Sequence, residues 1–172
     1  MEVHMKKTIF IINGKGGSGK DTVCNLAKCL CQAKSISSIT PILDVAKAGG
    51  WNGQKTEKAR KLLSQLKELF TEFNDLSFKY CMEQIAKFSE SDAQVLFIHI
   101  REPEEIERLK NSIIKMPSYT LLVRRKGVSD KQFNNSSDDR VEEYEYDEVI
   151  ENNGTLDDLY NTVEVFLRKY VS

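Results

Sequence analysis

The sequence has no long hydrophobic run and no excess of one charge. No segment approaches the ~18–20 consecutive apolar residues of a membrane-spanning helix, and 25 basic residues face 26 acidic ones, for a net charge of −1. These absences disfavour a membrane protein and a protein that coats nucleic acid. The apolar run after Met1–Lys7 is too short for a secretory signal. We therefore expect a cytoplasmic protein with neither a membrane nor a nucleic acid as partner.

Histidine is scarce, and the cysteines lack the spacing of a metal site. The chain has two histidines and four cysteines, and three of the cysteines fall in one predicted helix without a C-x-x-C pair. A structural zinc site is therefore not expected, and we interpret the cysteines as reduced, small hydrophobic side chains. With 172 residues, 40% of them apolar, residues 1–172 are expected to form a single domain with its own core.

Glycine is also scarce, but it is concentrated in one segment. Of the nine glycines, four fall within six residues: Gly14, Gly16, Gly17 and Gly19. The segment Gly14–Thr22 reads G-K-G-G-S-G-K-D-T and fits the G-x-x-x-x-G-K pattern of a phosphate-binding loop. Glycines let consecutive N–H groups point into one concavity, and the helix that follows adds its positive end. Lys20 then supplies a full charge, which a glycine-rich turn without function would leave unexplained.

Short apolar segments alternate with amphipathic ones along the chain. Continuous apolar runs at 8–12, 93–100 and 119–123 predict buried strands, and 35–40 and 147–151 predict two shorter ones. Apolar residues at helical spacing predict the connecting helices at 19–33, 42–48, 56–70, 76–88, from Pro103 onward, and at 156–170. The alternation predicts an α/β protein, a three-layer α/β/α fold with a parallel sheet of about five strands. The glycine loop lies between the first strand and the first helix, as a phosphate loop requires.

In this context the sequence resembles the P-loop small-molecule kinases. Gly14–Thr22 is similar to the G-x-x-G-S-G-K-G-T loop of adenylate kinases, with Asp21 replacing a glycine. The Gly-Lys-Asp variant resembles deoxynucleoside monophosphate kinases and animal-type phosphomevalonate kinases more closely. Residues 50–63 resemble the G-W-x-G-x-K…R-x-L-L segment of the deoxynucleoside monophosphate kinases, and residues 98–103 resemble their strand ending in D-V-R. Residues 147–154 resemble a D-x-V-I-x-N-x-G stretch that these kinases share with dephospho-coenzyme A kinases.

The resemblance implies that the protein binds ATP and Mg²⁺. The residue after the loop lysine usually carries a hydroxyl that ligates Mg²⁺, and here that residue is Asp21. Asp21 would contact the ion directly or through water, or Thr22 would supply the hydroxyl. The residues expected to bind the cofactor are Gly14, Lys15, Gly16, Gly17, Ser18, Gly19, Lys20, Asp21 and Thr22.

The resemblance also implies a small phosphorylated acceptor, bound between the second strand and a helical region at 41–90. Arg101 follows the carboxyl end of a strand, where ligands bind in parallel α/β sheets. The alternatives are a solvated charge on a helix face for Arg60, and an ion pair with Glu102 or Glu105 for Arg101. The four candidates for contact with the acceptor are Ser37, Ser38, Arg60 and Arg101.

A lid is expected at 124–141. Phosphoryl transfer requires positive charge on the transferred group and the exclusion of water, and an arginine in that role can raise the rate ~10³–10⁵-fold. The alternative is a solvated loop whose acidic residues pair with the arginines in an open state or keep the loop soluble. The candidate catalytic residues are Lys20, Arg124, Arg125 and Arg140.

His99 departs from the family pattern. The resembling kinases carry an aspartate there that helps to place Mg²⁺ through water, which a neutral imidazole cannot do. His99 is then a structural residue of its strand, or it indicates weakened chemistry that Glu102 could restore in part. Two functions stay open: ATP-dependent phosphoryl transfer to a small acceptor, preferably a (deoxy)nucleoside monophosphate, or an ATP-binding regulatory or interaction protein with little kinase activity. A motor NTPase acting on nucleic acid fits poorly, because no acidic Walker-B strand is evident.

Overall fold

The computed structural model describes residues 6–128 and 140–171, and their secondary structure alternates as predicted. A short 3₁₀ helix, Val141–Glu143, precedes the last strand. The elements, in chain order, are β1 (Thr8–Asn13), α1 (Lys20–Leu30), β2 (Ala33–Ser37), α2 (Thr40–Ala48), α3 (Glu57–Asn74), α4 (Leu76–Glu90), β3 (Val95–His99), α5 (Pro103–Ser112), β4 (Ser118–Arg124), β5 (Glu148–Glu151) and α6 (Leu156–Val171).

The five strands form one parallel sheet in the order β2-β3-β1-β4-β5. β1 lies in the middle, where Ile12 is in register with His99 of β3 and with Leu121 of β4. Because every strand runs in the same direction, all five carboxyl ends meet at one edge of the sheet. The loop after β1 therefore lies at the centre of the edge where ligands bind in parallel α/β sheets. The predicted fold class is confirmed.

Alternate residues of β1 face two separate cores, which makes the fold three-layered. Phe10 and Ile12 face the core that α1 and α6 cover, and the Phe10 ring packs against Phe166 with centroids 4.8 Å apart. Ile9 and Ile11 face the other core, which α4 and α5 cover. Successive strand residues point to opposite faces, so a continuously apolar strand is the expected pattern where both faces are buried.

The predicted end of the second strand was wrong. β2 ends at Ser37, and α2 begins at Thr40, with Pro41 in its first turn. Proline is favoured there because its missing N–H has no helical partner to lose. The last residue of the predicted strand, Thr40, therefore belongs to the helix.

Helix α3 begins after a capping threonine and leaves several of its apolar residues exposed. The Thr56 hydroxyl accepts a hydrogen bond from the backbone N–H of Ala59, 3.1 Å away, as a capping residue does. Ala59 is buried, whereas Leu62, Leu69 and Phe73 are 41%, 59% and 80% exposed. The sequence pattern identified the helix correctly but not which apolar residues the core buries.

The described parts of the chain contain neither a helix that could span a membrane nor a cluster of possible metal ligands. Within residues 6–128 and 140–171, no helix is long and apolar enough to cross a bilayer. The same residues contain no group of three or more His, Cys, Asp or Glu side chains placed to hold a metal ion. All four cysteines are free thiols, with Cys24 and Cys81 buried.

Candidate active site

The loop between β1 and α1 needs glycine at both of its ends. Gly14 has φ 154° and Gly19 has φ 100°, backbone conformations that L side chains rarely adopt. A Cβ on Gly14 would clash with the carbonyl oxygen of Val123, and a Cβ on Gly19 would clash with the side chain of Asn152. The glycine cluster therefore permits a close approach of the loop to β4 and to the segment after β5.

Lys20 and Ser18 give this loop its polar character. The Lys20 ammonium donates hydrogen bonds to the carbonyl oxygens of Gly14 and Lys15, the second over 3.1 Å, so the charge is held against the loop. Ser18 is buried, and its hydroxyl has no hydrogen-bond partner among the described residues. Because a buried hydroxyl without a partner costs free energy, the loop has the composition and the unsatisfied polar group expected of a site for a phosphate chain.

The segment after β5 forms the second wall of the same site. Asn152 is buried, and its amide donates to the carbonyl oxygen of Ser18 over 2.9 Å. Its backbone N–H donates to the carbonyl oxygen of Arg124 over 2.7 Å. The cavity between the two walls has a volume of about 460 Å³, within the range of small-molecule sites. It is lined by Gly17, Gly19, Lys20, Asp21, Thr22, Arg125, Asn152, Gly154, Thr155, Leu156 and Leu159.

Sequence reasoning missed this second wall. The pattern at 147–154 carries part of the family resemblance, but none of its residues is among the predicted site residues. Asn152 could have been found as the asparagine of that pattern. Leu156 is 61% exposed at the rim of the cavity, where an apolar side chain suits the face of a flat ligand group; it was interpreted only as the start of a helix.

Asn13, at the end of β1, is a further residue that the sequence did not indicate. It is buried, and its side-chain oxygen accepts from the N–H of Gly14 over 2.8 Å. Its amide donates to the carbonyl oxygen of Arg101 and to the Tyr146 hydroxyl, over 3.0 and 2.8 Å. Asn13 therefore fixes the start of the phosphate loop to the residues that follow β3.

The candidate Mg²⁺ ligands lie at the same cavity. Asp21 and Thr22 both line it, in the first turn of α1. Mg²⁺ in kinase sites is bound through one or two carboxylates together with substrate phosphates and water, rather than by a cage of protein ligands. One carboxylate and one hydroxyl beside a phosphate loop fit that requirement.

His99 lies at the carboxyl end of β3 and faces α1. Its Nε2 is 3.5 Å from the Cys24 sulfur. Burial lowers the pKa of His99, and the nearby Asp21 opposes that shift. Burial, assisted by Asp21, raises the pKa of the Cys24 thiol to about 12. At neutral pH the pair is therefore a neutral imidazole beside a protonated thiol.

Three of the four acceptor candidates lie at the edge of the sheet next to the loop. Ser37 ends β2, and Ser38 is buried, with its N–H donating to the carbonyl oxygen of His99. Arg101 lies two residues after the end of β3 and is exposed. Arg60 is on a different element: it is half-buried in the first turns of α3.

The acidic residues next to Arg101 already have a cationic partner. The Lys67 ammonium of α3 lies 2.6 Å from a Glu102 carboxylate oxygen and 3.6 Å from one of Glu105. This ion pair connects α3 to the start of α5. It also occupies Glu102, which was considered as a partial substitute for the missing aspartate.

The structure separates the three candidate catalytic arginines. Arg125 lines the cavity. Arg124 pairs with Glu142 at 2.6 Å and Glu151 at 2.9 Å, and these hydrogen bonds raise its pKa above the usual value. Arg140 pairs with Glu104 and Glu143. Pairing between the arginines and nearby acids was one of the expected alternatives. Most of the predicted lid, residues 129–139, lies outside the described residues.

Comparisons with known proteins support the fold. No protein-family model matches this chain, and no curated protein sequence matches it. A dephospho-CoA kinase from Campylobacter jejuni has a similar structure, with TM-score 0.55 and 19% identity over 97% of this chain and 98% of that one. A proposed kinase from Chloroflexus aurantiacus matches with TM-score 0.53 and 11% identity over 97% and 99%. The chain thus has the α/β fold of the P-loop kinases.

Proposed function

We propose that the protein is a phosphotransferase that transfers a phosphoryl group from ATP to a small phosphorylated acceptor. The observation that carries this proposal is the cavity in which the phosphate loop, Lys20 and the segment after β5 meet. The loop amides would bind the phosphate chain, and the N-terminus of α1 would add its positive end. Lys20 would neutralise charge on the terminal phosphates. The names of the two similar structures favour the same class of reaction.

We further propose that Asp21 and Thr22 hold Mg²⁺. When bound, the ion would reduce the negative charge on the phosphates during transfer. Asp21 is exposed at the cavity, so it can reach the ion directly or through a water molecule. Arg125 lines the same cavity, which supports a contact between its guanidinium and the phosphates. Arg124 and Arg140 would have to leave their carboxylate partners before they could contribute.

The proposed acceptor is a nucleoside or deoxynucleoside monophosphate. Its phosphate would lie at the carboxyl edge of β2 and β3, near Ser37, Ser38 and Arg101, with Arg60 approaching from α3. A guanidinium can bind a phosphate through two hydrogen bonds at once. The acceptor phosphate is already anionic, so the reaction needs no general base. The helical region at 41–90 and the lid at 124–141 belong to this proposal as the parts that enclose the acceptor and the ATP.

The experiment is an ATP-consumption screen with Mg²⁺ over four acceptor classes: nucleoside monophosphates, deoxynucleoside monophosphates, phosphomevalonate and dephospho-coenzyme A. We expect turnover with at least one nucleoside or deoxynucleoside monophosphate. Turnover with phosphomevalonate or dephospho-coenzyme A alone would retain the phosphotransferase and reject the nucleotide acceptor.

The second candidate is an ATP-binding regulatory or interaction protein with little kinase activity. The observation that favours it is His99, a neutral imidazole beside Cys24 where the resembling kinases have an aspartate. Tight binding of ATP together with negligible turnover on every acceptor would select this function. Turnover that requires Lys20 would reject it.

A further inference from the structure

The exposed side of α3 carries apolar residues in a regular row. Leu62 and Leu69 are 41% and 59% exposed, and Phe73 at the end of the helix is 80% exposed. Residues seven apart lie on nearly the same side of an α-helix, so Leu62 and Leu69 form one row, and Phe73 extends it by one turn. The row borders the side of the helix that faces the protein, where Ala59 is buried and Lys67 pairs with Glu102.

Exposed charged residues near this row change sign along the helix, from basic to acidic. Lys58 and Lys61 lie in the first half of α3 and Glu68 and Glu72 in the second half, and all four are exposed. Glu57 in the first turn agrees with the helix dipole, which favours acidic residues near the N-terminus and basic residues near the C-terminus, but these four charges have the reverse order. The helix dipole therefore does not account for the placement of these four charges.

The face is self-complementary about its midpoint. Gln65 lies midway between Lys58 and Glu72, and the midpoint of Leu62 and Leu69 falls directly beside it. A second α3 laid antiparallel across this midpoint would place Leu62 against Leu69. Its first half, which is basic, would face the acidic second half of the other helix. A two-fold axis requires this relation, in which the same patch contacts itself.

We propose that the protein forms a two-fold dimer through antiparallel contact of α3 with α3 of a second copy. The rows Leu62–Leu69 would supply the apolar centre, and Lys58 would pair with Glu72 of the other copy on each side. One pair of 18-residue helices is a small interface beside the about 1,200–2,000 Å² of stable complexes. We therefore expect a weak dimer, with a dissociation constant in the micromolar range. This proposal is independent of the proposed function.

The first test is sedimentation equilibrium of the full chain at several concentrations, with Leu69→Glu as the variant. We expect the dissociation constant to rise at least about tenfold, because the substitution buries a charge twice in each dimer. Val165→Glu is the matched control, since Val165 is 60% exposed on α6. It should leave the dissociation constant unchanged. A monomeric wild-type protein at millimolar concentration would overturn the proposal, as would equal weakening by both variants.

The second test uses charge reversal, which distinguishes an antiparallel pair of helices from a parallel pair. Lys58→Glu and Glu72→Lys should each weaken dimerisation, because each places like charges opposite one another. An equimolar mixture of the two variants should form a heterodimer, and the double variant K58E/E72K should dimerise as the wild type does. A parallel pair would bring each residue opposite its own copy and would show no rescue in the double variant. Failure of both rescues would overturn the antiparallel arrangement.

Discussion

The proposed nucleotide side, at Ser18, Gly19 and Asn152, and the proposed acceptor side, at α3 and the segment before it, are constructed differently. On the nucleotide side, Gly19, Asn152 and Ser18 approach so closely that an added Cβ or a lost amide would disturb the wall itself. On the acceptor side, residues 52–58 are all exposed, and the candidate Arg60 stands on a helix whose outer row is apolar and solvent-facing. The proposed phosphate site therefore depends mainly on backbone geometry. The proposed acceptor site depends on side chains that long-range packing brings together.

The largest effect should come from Lys20→Ala. Loss of the ammonium that lies against Gly14 and Lys15 removes charge stabilisation from the transferred group, so the rate of ATP-dependent transfer should fall by about 10²–10³-fold or more. Steady-state kinetics measures this, with Lys28→Ala, an exposed lysine on the same helix, as the control. The fold should stay intact by circular dichroism. An unchanged rate in Lys20→Ala would remove the loop from the active site.

The next effect should come from Asn152→Ala. The substitution leaves the buried carbonyl oxygen of Ser18 without its donor, so the free energy of unfolding should fall by about 1–3 kcal/mol. The apparent KM for ATP should rise with it. Urea denaturation measures the first effect, and Asn153→Ala, an exposed neighbour, is the control. Equal stability of Asn152→Ala and Asn153→Ala would contradict the claim that buried contacts fix the nucleotide side.

Arg101→Ala tests the proposed acceptor side. We expect the KM for the acceptor to rise about tenfold or more, as for a lost charge-assisted hydrogen bond of about 1.5–3 kcal/mol, with little change for ATP. Arg168→Ala on α6 is the control. Equal increases for the two substrates would exclude Arg101 from an acceptor-specific role.

The smallest effect should be the pH dependence that His99 contributes to stability. Its pKa is lowered in the folded protein, so below pH ~6.5 the unfolded chain takes up a proton that the folded chain does not. The stabilising contribution is therefore present above the unfolded pKa and is lost as pH falls through the folded pKa. Denaturation between neutral and acidic pH should show a shallower loss of stability for His99→Gln. The same slope in both proteins would show that His99 titrates alike in the two states.

The comparison also explains what the sequence could predict. The strands β1, β3 and β4 were predictable because a strand buried on both faces is continuously apolar, and the phosphate loop because its glycines are needed locally. Asn13 was not predictable as a site residue, since its partner Tyr146 is more than 130 residues away. Asn152 stands in the pattern at 147–154, but its contact with Ser18, also more than 130 residues away, was not predictable.

On the proposed acceptor side, even less of the side-chain packing could be predicted from the sequence. The pattern of α3 could not say which leucines the core buries, because that depends on how α3 packs against the neighbouring helices. Nor could the sequence assign Lys67 as a partner of Glu102. Side-chain pairing across distant elements is decided by packing, which local spacing does not record.

The central claim is that Lys20 and the surrounding cavity transfer a phosphoryl group from ATP to a small phosphorylated acceptor. The most direct measurement is the transfer of label from ATP labelled in its γ-phosphoryl group to a nucleoside or deoxynucleoside monophosphate, in the presence of Mg²⁺. We predict labelled nucleoside diphosphate with the wild-type protein and almost none with Lys20→Ala. Equal labelling by both proteins, or ATP binding without label in any acceptor, would contradict the claim.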